Sequence, residues 1–263
     1  MAGLGLRTAF AGKVGQDGYG QLASDTLASY GVDLSHLIVD PAIQTGITVS
    51  MSAKDNSDRA MVTYLGAINA LRAEEISPAL FEKTRHIHVG SFFLQSALRP
   101  GLADLFRAAH RAGVTTSLDA GWDDTGVWDY GLHDVLKETD VFLPNELEAA
   151  AITGKKDVAE AAKALSEWCR ICTVKCGGDG AVSASAGQVY GAATYAAPVR
   201  DTTGAGDSFN AGFLYAFLAG KSIEEALCYG NACGSLSVAR LGGASSCPKL
   251  HEAEAVIRNG RVE

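Results

Sequence analysis

Asp201-Thr202-Thr203-Gly204-Ala205-Gly206-Asp207-Ser208-Phe209-Asn210-Ala211-Gly212-Phe213-Leu214 runs from small residues flanked by two acids straight into an apolar helical stretch. Such a segment aims several backbone N–H groups at one point, at the positive end of a helix, with a carboxylate beside them. A phosphate at Gly204-Ala205-Gly206 would meet those N–H groups and the helix dipole, and glycine lets the backbone approach closely. An acid facing that phosphate weakens simple anion binding; Asp207 makes sense where it takes a proton from a hydroxyl that attacks phosphorus. Local physics alone leaves a second explanation equally open, in which Asp201 and Asp207 serve only as turn and helix-cap residues.

Outward from this loop, apolar runs alternate with helical periodicity, the mark of a mostly parallel sheet covered on both faces. Strands are predicted at 8–14, 86–91, 115–119, 140–144 and 171–176, and helices near 19–30, 101–113, 145–153, 158–169, 205–219, 223–239 and 249–258. Two pieces, 47–53 and 60–66, break the pattern by alternating about the polar turn Lys54-Asp55-Asn56-Ser57-Asp58, and read as a β-hairpin inserted as a lid. A second hairpin is expected at 180–194, where Gly180, Gly187 and Gly191 punctuate β-prone runs. The expected organisation is a single domain, 1–263, with the lid insertion at about 40–66.

At 263 residues and 47% hydrophobic content, the chain can bury a full α/β core. Its net charge of −8, with no stripe of clustered Lys and Arg, argues against nucleic acid as the main partner but not against local binding of ATP. No apolar stretch approaches the ~20 residues of a membrane helix, and the start Met1-Ala2-Gly3-Leu4-Gly5-Leu6-Arg7 lacks the plan of a signal peptide. A cytoplasmic location is expected. The six cysteines sit mostly in apolar contexts that suit buried thiols; Cys169-Arg170-Ile171-Cys172 has redox or zinc spacing but no second pair and no nearby His.

The 201–214 stretch closely resembles the C-terminal signature of the PfkB/ribokinase-type sugar kinases, D-T-x-G-A-G-D followed by a helix. Three further segments resemble that family. Lys175-Cys176-Gly177-Gly178-Asp179-Gly180 is similar to its K-x-G-x-x-G nucleotide segment, although alone such a stretch is more often an ordinary strand-ending turn. Asn145-Glu146-Leu147-Glu148 is similar to its N-x-x-E motif, placed at the C-terminal end of a strand where doubly wound sheets bind ligands; alone the pair reads as a cap and a solvated acid. Gly12-Lys13-Val14-Gly15-Gln16-Asp17-Gly18-Tyr19-Gly20 is similar to its G-x-V-G-x-D-x-x-G segment, with an architectural role. The resemblance starts late: the family's usual opening strand and Gly-Gly-x-x-x-Asn segment have no counterpart, and Met1–Leu6 resembles the tail of the helix that follows them. If the chain starts here, the resemblance implies a sheet without one central strand and a partial set of sugar-side residues.

The fold implied is α/β, a ribokinase-like three-layer αβα arrangement with a mostly parallel sheet and a small β lid near 47–66. The activity implied is ATP-dependent transfer of a phosphoryl group to a sugar primary hydroxyl. Asp207 would be the base and the Gly204, Ala205 and Gly206 amides the anion hole. Lys175, Gly177, Gly178, Gly180 and Asn231 would hold the nucleotide, and Asn145 and Glu148 would orient Mg²⁺ through water. Asp201, Thr203 and Ser246 match positions for a monovalent cation such as K⁺; a helix C-cap and loop ending at Pro248 explains the last of these segments equally well. Thr45, Arg59 and Asp119 fall on the acceptor side, with Ser91-Phe92-Phe93-Leu94 after a strand end nearby. Asp119-Ala120-Gly121-Trp122-Asp123 departs from the family's D-P-N-x-R region at Trp122 and Asp123. His86 and His88 are expected to be structural. A nucleoside kinase, or a non-catalytic nucleotide- or sugar-binding relative, is the alternative. Lid hairpins in this family often pair between subunits, an isolated two-stranded ribbon being marginal in water, so the resemblance implies a homodimer through the lid.

Overall fold

The computed structural model describes residues 1–52, 59–244 and 247–262, with the side chains of 52, 59 and 60 also outside the description. Its centre is a six-stranded sheet in the order β10-β9-β8-β7-β6-β5. Strands β5 (His86–Val89), β6 (Thr115–Leu118), β7 (Val141–Phe142) and β8 (Ile171–Lys175) run parallel. β9 (Ala181–Ser185) and β10 (Gln188–Ala192) close the sheet as an antiparallel hairpin. Ala186 and Gly187 form its two-residue turn, both at positive φ (49° and 78°), the twist that joins right-handed strands tightly.

Side-chain alternation along the strands divides the core in two. Phe142, Cys172 and Val174 point to a layer built from α2 (Arg99–Arg111), α3 (Leu132–Leu136) and α5 (Val158–Leu165), packing on Leu102, Phe106, Leu136 and Leu165. Val141, Leu143 and Ile171 point the other way, onto Phe209, Phe213, Leu214 and Leu227 of α6 (Ala205–Leu218) and α7 (Ile223–Val238). Helix, sheet and helix thus make the three layers expected. α6 and α7 approach closely because Gly212 faces Tyr229 and Cys233; a Cβ there would lie 2.8 Å from the Cys233 sulfur. α8 (Leu250–Asn259) covers the outer side of α7 through Ala253 and Val256.

Three features differ from the sequence expectation. β1 (Ala9–Gly15) does not join the main sheet: it pairs in parallel with β2 (Asp33–Asp40), a strand the sequence reading left out, and the two form a separate sheet. β5, with His86 and His88 on it, is therefore the terminal strand of the main sheet. α3 was also unforeseen, since five residues are too few to display a helical period. Met1–Leu6, expected to resemble a helix tail, contains a short 3-10 turn at Ala2–Leu4.

The lid segment forms a third sheet, in which β3 (Ile47–Ser52) pairs antiparallel with β4 (Arg59–Tyr64). Its register puts Ile47 opposite Tyr64 and Val49 opposite Val62, one apolar face that Met51 extends, while the other face carries Thr48 hydrogen-bonded to Thr63 at 2.9 Å. The expected turn, 54–58, lies outside the described residues. Among the described residues, no helix is long and apolar enough to cross a membrane.

Candidate active site

The carboxyl ends of β6, β7 and β8 deliver Asp119, Asn145 and Lys175 to one edge of the sheet, the edge at which open α/β folds bind ligands. The N-terminus of α6 faces the same place. Gly204 caps it in the left-handed region, φ 75°, and a Cβ there would come within 3.0 Å of Gly243 Cα, so glycine lets the 201–204 loop close on the 242–243 segment. No side-chain hydrogen bond caps α6. The Ala205 N–H donates to Thr202 O at 3.3 Å, a turn bond that competes with the anion-binding part expected of Ala205.

Lys175 stands beside this helix start. A Cβ added to Gly206 would lie 3.6 Å from Lys175 Nζ. The ammonium donates to Asp119 Oδ2 at 2.6 Å and to Asn210 Oδ1 at 3.2 Å, and Asn210 Nδ2 donates to the same Asp119 oxygen at 2.7 Å. The Lys175 backbone is held as well: its N–H donates to Pro144 O at 3.0 Å and it forms a parallel bridge with Asn145. Burial alone would push the Asp119 carboxyl up; the Lys175 charge and the Lys175 and Asn210 hydrogen bonds outweigh it and hold Asp119 below the usual range.

Asp207 and Glu148 are perturbed in the opposite direction. The protein mass around Asp207 pushes its pKa up, the Asp119 carboxylate pushes it further, and Lys175 works against both. The residue is nevertheless exposed to solvent. Glu148, 5% exposed, is raised by burial and by Asp119, against the pull of the Asn145 N–H and Lys175.

Asn145 and Glu148 share a reciprocal capping box at the start of α4 (Glu146–Thr153): the Asn145 side chain accepts from Glu148 N at 2.9 Å, and Glu148 Oε2 accepts from Asn145 N at 2.8 Å. The cap half of the reading is realised, at the same edge as Lys175 and Asp119, while Glu148 is buried rather than solvated. Gly177 and Gly178 lie in a short 3-10 turn where an added Cβ would meet nothing within 4 Å, leaving room along the backbone. Gly180 differs: at φ 91° its added Cβ would lie 2.8 Å from Ala193 Cα, so its part is to close the turn onto the end of β10. Asn231, 3% exposed, donates to Ala192 O at 2.9 Å and Ala193 O at 3.1 Å, tying α7 to that same segment.

The remaining expected site residues are mostly engaged in shaping loops. Asp201 Oδ1 accepts from Thr203 N and Oγ1 at 2.9 and 2.7 Å, and Oδ2 accepts from Gly242 N at 2.9 Å, locking the two loops expected around a monovalent cation. Ser246 lies outside the described residues, as does the Arg59 side chain. Thr45 is buried; its Oγ1 accepts from Gly15 N at 2.8 Å and its N–H donates to Asp17 Oδ2 at 2.8 Å, a latch between the lid and the 12–20 segment. A cavity of about 480 Å³ beneath the hairpin is lined by Asp17, Tyr19, Leu22, Thr45, Ile47 and Tyr64, and shares no lining residue with the 201–214 cradle.

After β5, Phe92 and Phe93 are buried core residues, and Ser91 sits at φ 55° with Gly121 packed against it. Asp123 is consumed within its own loop: it accepts from the Thr125 N–H and hydroxyl at 3.0 and 2.7 Å and from Trp128 N at 2.7 Å. His86 and His88 share the Ser117 hydroxyl, each at 2.8 Å, and burial pushes them down to about 3 and about 4, neutral ring partners in the sheet. The Cys169 thiol is pushed up to about 12 by burial, as an inert core thiol.

Asn210 is given no role by the sequence, although its spacing of three from Asp207 on one helix carries the signal that both share a face.

The pfkB family carbohydrate kinase model matches residues 1–250. An ATP-dependent ribose-1-phosphate kinase of Halopiger xanaduensis is 35% identical over 246 residues, covering 94% of this chain and 79% of that protein. A 5-dehydro-2-deoxygluconokinase of Halalkalibacterium halodurans is 28% identical, covering 97% and 81%. Among solved structures, Arabidopsis thaliana ribokinase complexed with ribose and ATP superposes with a TM-score of 0.84 at 26% identity, over 98% of this chain and 84% of that one. An E. coli protein described as a ribokinase II, in complex with ATP and Mg²⁺, gives 0.88 at 26% identity, over 98% and 85%. A chain with this fold, this helix-start cradle and this match across its length belongs to the pfkB family of carbohydrate kinases, phosphotransferases that act on a sugar hydroxyl.

Proposed function

We propose that the chain transfers the γ-phosphoryl group of ATP to the primary hydroxyl of a sugar, with Asp207 as the base. The supporting observation is the convergence of the uncapped start of α6, Asp207 and the Asp119–Lys175–Asn210 set at the ligand-binding edge of the sheet. Asp207 accepts the hydroxyl proton, the alkoxide oxygen forms a bond to the γ-phosphorus, and the bond to the β-phosphate oxygen breaks to release ADP. The amides at Gly204–Gly206 take up charge on the transferring group. The turn at Gly177–Gly178 leaves room for the nucleotide; that two relatives were solved with ATP supports ATP as that nucleotide.

Three carboxylates, Asp119, Glu148 and Asp207, interact here with a single ammonium, Lys175. That negative excess suits a divalent cation carried with ATP. Among the described residues no cluster of three or more His, Cys, Asp or Glu could hold a metal directly, so Asn145 and Glu148 would act on Mg²⁺ through water. When bound, Mg²⁺ neutralises charge on the phosphates. Asp201 and Thr203 would serve a monovalent cation that stiffens the cradle, and Thr45 would position the lid over the acceptor. The lid's apolar face would pair with a second copy.

The names of the relatives span several sugars, so the acceptor is sought by a panel: pentoses, hexoses, sugar 1-phosphates, keto-deoxy acids and nucleosides with Mg²⁺ and ATP, reading ADP. A sugar-dependent rise in ADP is expected. No ADP above background with any acceptor would point instead to a non-catalytic relative.

A further inference from the structure

Lys175 is bound to more of this site than a nucleotide contact requires. Its main chain is fastened to Pro144 and Asn145, next to the metal-side pair. Its ammonium holds Asp119, the residue that follows β6 on the expected acceptor side, and Asn210 in the second turn of α6. Asn210 in turn donates to Asp119, so a closed three-membered set links two strand ends to the helix that carries Asp207. The side chains of Lys175 and Asp119 are both 13% exposed, and Asn210 is 2% exposed. In such a setting a charge-assisted set has strict geometry, and removing one partner leaves the others buried and unpaired.

We propose that Lys175 is a positioning residue for phosphoryl transfer: with Asp119 and Asn210 it fixes the first turns of α6, and so the anion cradle and Asp207, to the strand ends that present the metal-side and acceptor-side residues. The inference deepens the kinase reading and rests on it for its catalytic consequence. An ammonium already carrying a carboxylate and an amide is poorly placed to act as a simple phosphate hook. Its location beside Gly206 makes it a fixed positive charge beneath the cradle instead. Misplacing a reacting group by about 1 Å costs on the order of 10²-fold in rate, and that is the scale at which loss of the set should register.

The test uses the full chain with Lys175→Met, Lys175→Arg, Asp119→Asn and the double variant Asp119→Asn with Lys175→Met. Lys175→Met is expected to lower kcat by about 10²-fold with the KM for ATP changed less than about threefold. Lys175→Arg, which keeps the charge and can still reach the carboxylate, restores at least part of the loss. The double variant, which removes both charges together, is expected to be roughly tenfold better than Lys175→Met alone. A rise in the KM for ATP with kcat unchanged would make Lys175 a nucleotide-binding group and overturn the inference. Should Lys175→Met fail to fold, Asp119→Asn and Lys175→Arg carry the same comparison. Amide hydrogen exchange at Ser208–Ala211 reads the anchoring without turnover: about tenfold faster exchange is expected in Lys175→Met and little change in Lys175→Arg. Unchanged exchange in Lys175→Met overturns the anchoring even in an active kinase. Failure of the wild-type chain to phosphorylate any acceptor overturns the kinase reading and leaves the exchange result to decide the anchoring.

Discussion

Asp207 and Glu148 are both raised by burial first and by Asp119 second, yet they answer to different demands. Asp207 is exposed and open to proton exchange; Glu148 is closed in and spends one oxygen on the Asn145 N–H. Replacing Glu148 by Gln keeps an acceptor for that N–H and removes a buried charge. Because the folded-state pKa of Glu148 lies above its unfolded value, the group favours folding while protonated, and that contribution is lost as pH rises through the folded pKa. The melting temperature of Glu148→Gln relative to wild type should therefore climb as pH rises from about 4 through the neutral range, by about 2–4 °C for each kcal/mol involved. A difference that stays flat across that range would contradict the assignment. At this scale the sequence was readable where the residues are neighbours: Asp207 beside its glycines, and Glu148 three positions from Asn145. The Asp119–Lys175 pair spans 56 residues, and nothing local in either segment announces the other.

At the scale of elements, strands and helices with a strong period stood out, and the antiparallel β9–β10 hairpin was marked by its glycines. β2 escaped because Asp33-Leu34-Ser35-His36-Leu37-Ile38-Val39-Asp40 is polar at its ends and half-buried along its length, which weakens alternation. The lid hairpin was legible from alternation alone, and its register adds what the sequence could not: one face collects Ile47, Val49, Met51, Val62 and Tyr64. Val49, Met51, Val62 and Tyr64 are each more than half exposed, an apolar surface on an element too small to be stable alone. If a second copy covers it, light scattering should give twice the chain mass, and Val62→Lys should return the monomer while the main fold melts as before. A monomeric wild-type chain at all concentrations tried would remove the lid from the dimer proposal.

For the whole molecule, the layered α/β arrangement follows from strands whose neighbouring residues point to opposite helix layers, and it brings residues from β6, β7, β8 and α6 to one edge. The placement of β1 and β2 in a sheet of their own was not legible, because strand partnership depends on geometry between distant segments rather than on either segment's pattern. The short motifs marked the segments that meet at this edge, Asn145–Glu148, Lys175–Gly180 and the start of α6, but not the contacts between them. The acceptor side carried no comparable motif: Asp123 is held within its own loop, Thr45 ties Gly15 and Asp17 to the start of the lid, and the phenylalanines after β5 are buried in the core. The central claim is that Asp207 is the base at the start of α6. Its most direct measurement compares wild type with Asp207→Asn at saturating ATP and the best acceptor, following ADP formation alongside ATP binding by calorimetry. Turnover in the variant should fall by at least about 10²–10⁴-fold with ATP affinity nearly intact. Near-normal turnover in Asp207→Asn would contradict the account.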